Sequence, residues 1–149
     1  MRLMVTGHRI EKLAPYDMEW IKVAMEECVM DARDYSGASL GLSGMASGVD
    51  LFFCQICLDF RLPYHAYVPF EEQDQYMDGE WAATRKHYLE QAKIVYQARN
   101  SKMVEDADLA LVVWDGNKGG THNCMQQLLE KDKLIWWVIP PKKTWVRIP

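Results

Sequence analysis

Apolar positions along this chain alternate between short compact runs and longer periodic stretches. Leu3, Met4 and Val5 form a run that ends in Thr6 and Gly7, the pattern of a strand entering a turn. Met18, Ile21, Met25, Cys28, Val29 and Ala32 then recur at three- and four-residue steps. That spacing predicts one amphipathic helix over about residues 15–34, with Pro15 in its first turn and Gly37 just past its end. Leu40–Ser43 reads as a second strand, and a helix over about residues 48–60 is apolar on most sides, as buried helices are. A third strand spans 64–68 between Pro63 and Pro69.

Residues 70–82 are irregular and acidic, with Glu71, Glu72, Asp74, Asp78 and Glu80. A helix is expected over about 81–97 and a shorter one over 101–106. Residues 109–114 carry the strongest strand signal, followed by a glycine-rich turn at 115–121, a helix at 121–131 and a strand at 134–138. The tail from Pro140 to Pro149 is expected to wrap over the surface. Strands alternating with helices predict an α/β fold: a three-layer, Rossmann-like parallel sheet of about five strands with helices on both faces and right-handed crossovers. One domain over residues 1–149 accounts for the length. Trp136 and Trp137, adjacent on a strand, are expected on opposite faces of the sheet.

Composition narrows the function. Hydrophobic residues make up 49 % and charged residues 26 % of the 149, an ordinary globular balance. The net charge of −4 and the absence of a basic run disfavour nucleic acid, whose non-specific binding needs many cationic phosphate contacts. No apolar run approaches the ~20 residues of a membrane-spanning helix, and no secretory signal opens the chain. Cys28, Cys54, Cys57 and Cys124 are too few for a disulfide framework, and the single Cys54-x-x-Cys57 pair lacks the second pair of a zinc site. Buried structural thiols and a cytosolic location are therefore expected.

In open parallel sheets, ligands bind at the carboxyl ends of strands where the strand order reverses. Three polar turns fall at such ends: Thr6, Gly7, His8 and Arg9; Ser43, Gly44, Met45, Ala46, Ser47, Gly48 and Asp50; and Asp115, Gly116, Gly119, Gly120 and Thr121. Glycine lets backbone N–H groups approach an anion, helix N-termini add unpaired donors, and Arg9 offers a fork to phosphate. None of the turns is GxGxxG or GxxxxGK[ST]. Asp50 and Asp115 are candidate catalytic carboxylates, with Glu71 and Glu72 as further carboxylates. His8 and His122 match no standard metal spacing, so neither metal nor cofactor is implied. Tyr76 or Trp81 offers a stacking surface for a base.

With MRLMVTGHR at the start, SGMASGVD after the second strand, VPFEEQ after the third and RNSKMVEDADLALVVWDGNKGGT over residues 99–121, the chain resembles the SLOG superfamily. It is most similar to the small YpsA/YspA-like branch, related to the DNA-processing SMF/DprA proteins and the Lonely Guy phosphoribohydrolases. The resemblance implies a Rossmann-like domain, a homo-oligomer that binds nucleotides or nucleotide-derived ligands. It adds Arg99 and Asn100 to the pocket and gives the 115–121 turn a phosphate or ribose. Lonely Guy enzymes carry PGGxGTxxE, whereas Thr121 here is followed by His122, Asn123, Cys124, Met125, Gln126 and Gln127, with no carboxylate until Glu130. An amide replaces neither nucleophile nor base. The expected function is therefore binding of a phosphate- and ribose-containing ligand, as sensor or scavenger. The alternatives are a nucleoside-monophosphate N-glycosidase using Asp50 and Asp115, and DprA-like handling of single-stranded DNA.

Overall fold

A computed structural model describes residues 1–69 and 79–149. Glu71, Glu72 and Tyr76 lie outside the described residues. The elements run β1 (Arg2–Gly7), α1 (Ile10–Leu13), α2 (Met18–Ser36), β2 (Leu40–Ser43), α3 (Val49–Asp59), β3 (Tyr64–Tyr67), α4 (Gly79–Gln91), β4 (Ile94–Tyr96), α5 (Asn100–Asp106), β5 (Leu109–Val113), α6 (Gly120–Glu130), β6 (Leu134–Ile139) and β7 (Thr144–Ile148). They build one seven-stranded sheet in the order β4-β3-β2-β1-β5-β6-β7. Every neighbouring pair is parallel except β6 and β7.

Alternation along the strands divides the core. Leu3, Val5, Leu111, Val113 and Trp136 face the layer of α2 and α3, with α4 packed against its edge. Met4, Leu42, Val112 and Ile135 face α5 and α6. The fold is thus a three-layer Rossmann-like α/β sandwich, and Trp136 and Trp137 do point to opposite faces. Cys28, Cys54, Cys57 and Cys124 are free and buried. Burial pushes the Cys54 thiol up to about 12 and the Cys124 thiol up to about 11, so both stay protonated and unreactive.

The strand count of about five is corrected to seven. The expected helix over 81–97 ends at Gln91, because Ile94, Val95 and Tyr96 pair with β3 as a short edge strand. The tail does not merely wrap: after a 3-10 turn at Pro140–Lys142, Thr144–Ile148 returns antiparallel to β6, with Ile139 opposite Thr144 and Ile135 opposite Ile148. An antiparallel edge strand on a parallel sheet is a common way to finish such a fold. The expected helix over 15–34 starts later, at Met18, and a one-turn helix at Ile10–Leu13 precedes it. Asp17, whose carboxylate accepts from the Trp20 N–H at 3.1 Å, caps a new start at Met18, so Pro15 lies in the connection and not in the helix. Gly37 ends that helix in the left-handed conformation, at φ 70°.

Candidate functional site

Strand order reverses between β1 and β5, so the loops leaving β2, β1 and β5 stand side by side at the carboxyl edge. A cleft of about 360 Å³ opens among them. Thr6, Gly7, His8 and Arg9 line it from the end of β1; Gly44, Ala46 and Asp50 line it from the β2–α3 connection. Asn100 enters from α5, and Gly120 and Thr121 from the start of α6. The convergence expected of three distant turns is therefore present.

Close backbone packing holds the first two loops together. Gly48 sits at φ 84°, and a Cβ there would lie 2.8 Å from both the His8 carbonyl oxygen and the Ile10 nitrogen. Ser43 works from beneath: its hydroxyl donates to the Asp50 carbonyl at 3.0 Å and accepts from the Met45 N–H at 3.3 Å. Met45 is fully buried at φ 63°, a left-handed conformation uncommon outside glycine, with its sulfur 3.6 Å from the Cys54 thiol. Ser43, Met45, Ser47 and Gly48 thus shape the loop without lining the cleft.

Asp50 does line it. Its Oδ2 accepts from the Ala46 N–H at 3.1 Å. A Cβ on Gly44 would lie 3.1 Å from that oxygen and 3.2 Å from Oδ1 of Asn100, so both oxygens stand over bare backbone. Burial pushes the Asp50 carboxyl up to about 7, against the Ala46 amide and the Arg9 guanidinium, which favour the carboxylate.

Asp115 does not line the cleft. Its carboxylate accepts from the Tyr16 hydroxyl at 3.0 Å and the Asn117 N–H at 3.0 Å, and Oδ1 lies 3.1 Å from Nε2 of His8. Burial raises its pKa, but the Asn117 amide, Tyr16 and His8 outweigh burial and hold the carboxyl below its ordinary range. Gly116 and Gly119, both at positive φ, carry the turn between Asp115 and α6.

The opposite wall is cationic. Lys12, on the one-turn helix α1, lines the cleft with Arg9, three residues before it. Its ammonium lies 3.4 Å from where a Cβ on Gly119 would sit, at the N-terminus of α6. That terminus has no side-chain cap, so its first N–H groups and partial positive charge reinforce the lysine. Sequence reasoning missed Lys12 because α1 is too short to show periodicity. The available signal was the i,i+3 spacing from Arg9.

Arg99 stands outside the cleft, in an adjoining open groove that it lines with Pro69, Asn100 and Ser101. Pro69 and Asn100 line both spaces, so the two adjoin. Other candidates fall elsewhere. His122 packs on Trp114 with ring centroids 5.4 Å apart. Trp81 packs against Phe52 in a groove of about 260 Å³ between α3 and α4, which shares no lining residue with the cleft. Among the described residues no group of three histidine, cysteine or carboxylate side chains is placed to hold a metal, and no helix is long and apolar enough to cross a membrane.

The chain matches no protein-family model and no curated protein.

Proposed function

We propose that this chain is a SLOG-superfamily domain that binds a nucleotide or nucleotide-derived ligand in the carboxyl-edge cleft, phosphate toward Arg9, Lys12 and the start of α6. The observation that carries the reading is the meeting of Lys12 and the uncapped N-terminus of α6 in one cleft at the strand-order reversal. Each contributes to anion binding, and a charge-assisted hydrogen bond is worth about 1.5–3 kcal/mol. The cleft volume, about 360 Å³, falls in the range of small-molecule sites. A cytosolic, homo-oligomeric protein belongs to the same reading, and light scattering checks the assembly.

The test is an NMR titration with nucleoside monophosphates, NAD and ADP-ribose, following line broadening on the ligand. Binding is expected, weakened by Lys12→Ala and abolished by Gly120→Asp. Gly120 has open space around its Cα, so the aspartate fits while placing a negative charge at the helix start. Full affinity in a folded Gly120→Asp protein sinks the assignment.

Asp50 favours a second reading, N-glycosidic hydrolysis. A carboxyl lifted to about 7 in the cleft is protonated in about half of the molecules at neutral pH, which suits a general acid delivering the proton to a leaving base while water adds to the sugar carbon. Asp115, held below its ordinary range by three partners and set off the cleft, serves as a scaffold in this reading. New free-base peaks in the same titration, lost in Asp50→Asn, support it; ligand broadening with no new peaks refutes it for those ligands.

A further inference from the structure

His8 lines the cleft although only 7 % of it is exposed. Its Nε2 is engaged, accepting from the Asp115 backbone N–H at 3.2 Å and lying 3.1 Å from Oδ1 of that carboxylate. Its Nδ1 takes no hydrogen bond among the described residues, and it is not sealed from solvent. The Asp115 amide occupies the Nε2 lone pair, so the proton of the neutral ring sits on Nδ1. A charged ring carries a proton on Nδ1 as well, with the Asp115 carboxylate beside Nε2 as its counter-ion. In both states Nδ1–H is a donor left over in a nearly buried ring. The same segment brings Arg9 and Lys12 to the cleft, and their side chains are donors only. Three donors supplied by residues 8–12 suit the several oxygens of one anion.

We propose, resting on the nucleotide reading above, that Nδ1–H of His8 donates to the ligand's phosphate while Asp115 holds the ring by Nε2. His8 is then a specificity residue, and the preferred class is a phosphate monoester over the same molecule without its phosphate. A hydrogen bond to a charged acceptor is stronger than one between neutral groups, so this donor favours phosphate over the hydroxyls of a nucleoside. The Asp115 contact also ties the anion to the turn that opens α6, because the Asn117 N–H donates to the same carboxylate.

Two measurements on the full chain test this. Long-range proton–nitrogen NMR of the histidine rings locates the His8 proton without any ligand, and the His8→Gln spectrum assigns that ring among the four histidines. A proton on Nδ1 is expected; a bare Nδ1 overturns the inference whatever the ligand. Isothermal titration with AMP and with adenosine reads the contact itself. Glutamine reaches the place of Nε2 and keeps an acceptor for the Asp115 amide, but offers nothing at Nδ1. Asparagine puts its amide near Nδ1 and gives up Asp115. His8→Gln is expected to weaken AMP about 10-fold and leave adenosine unchanged, the loss of one charge-assisted contact; His8→Asn should recover part of the AMP affinity. AMP affinity that is unchanged in folded His8→Gln, or that falls equally in both variants, overturns the inference while leaving nucleotide binding intact. Failure of the natural chain to bind either probe overturns the nucleotide reading and the phosphate contact with it.

Discussion

His8 and Asp115 join the loops of the two central strands: Nε2 of the imidazole lies 3.1 Å from Oδ1 of the carboxylate and 3.2 Å from the Asp115 backbone nitrogen. Both protonation states of His8 are served by this one residue. An unprotonated Nε2 accepts from the amide, and a protonated one donates to the carboxylate. Tyr16 fixes the same carboxylate from the α1–α2 connection. The glycine-rich turn before α6 is therefore tied to the segment that carries Arg9 and Lys12.

Asp115→Ala removes the acceptor shared by His8, Tyr16 and the Asn117 amide, and is expected to cost about 1–3 kcal/mol in urea unfolding. The pH dependence has a definite sign. The folded-state carboxyl is held below its ordinary range, so its contribution is complete above the unfolded value of about 4 and is lost as pH falls below it. The stability difference between natural chain and variant should shrink on acidification below that value. A difference that grows instead rules out the scaffold role.

Asp50 runs the other way. Its carboxyl is lifted to about 7 in the folded chain but ionises near about 4 when unfolded. The folded state binds the extra proton between those values, so this residue makes stability fall as pH rises from about 4 to about 7, with no further change above. Asp50→Asn keeps an oxygen for the Ala46 N–H and should flatten that slope. The same substitution should also remove a loss of AMP affinity near neutral pH, once the ligand's own titration is cancelled by comparing the two proteins. Parallel pH profiles for the two proteins would show that Asp50 does not titrate in this range.

Much of this was legible in the sequence, and the failures have physical causes. Buried parallel strands read as unbroken apolar runs, so residues 109–113 and 134–139 stood out. Glycine-bearing turns at strand ends marked the cleft. Edge strands carry weaker signals: Ile94–Tyr96 has three residues and merged with the preceding helical pattern, although two of them are β-branched. Thr144–Ile148 alternates apolar and polar positions, yet the prolines before it suggested an irregular tail. At the site, residue type marked Asp115 and Met45, but not that one would be consumed by its neighbours and the other buried in the core. Those outcomes depend on contacts across nearly 100 residues in one case and on a left-handed backbone in the other.

Gly48 is the position where the cleft tolerates no side chain. Alanine would have to adopt φ 84° and place its Cβ 2.8 Å from two backbone atoms of the β1–α1 segment, which no rotamer relieves. Gly48→Ala should cost more than about 2 kcal/mol and move the loop bearing His8 and Arg9. Chemical denaturation, with AMP titration of the fraction that folds, checks both parts. A variant as stable as the natural chain would mean that the loop has room to shift.

The last strand is stapled to α2 through Asp31. The fully buried Trp136 donates its indole N–H to Oδ2 of Asp31 at 2.7 Å, and Arg147 on β7 donates to the same oxygen at 3.0 Å while lying over the Tyr35 ring at 3.8 Å. Removing the acceptor leaves a buried donor unpaired, a larger penalty than the net worth of one hydrogen bond. Asp31→Ala should therefore cost about 1–3 kcal/mol and increase amide exchange along β7, the edge strand that Arg147 pins. Trp136→Phe with Asp31 retained separates the two effects, because it removes the donor but keeps the Arg147 pair. Its β7 amides should stay protected even as global stability falls. If β7 exchanges equally fast in both variants, packing of the indole holds the strand and the carboxylate does not.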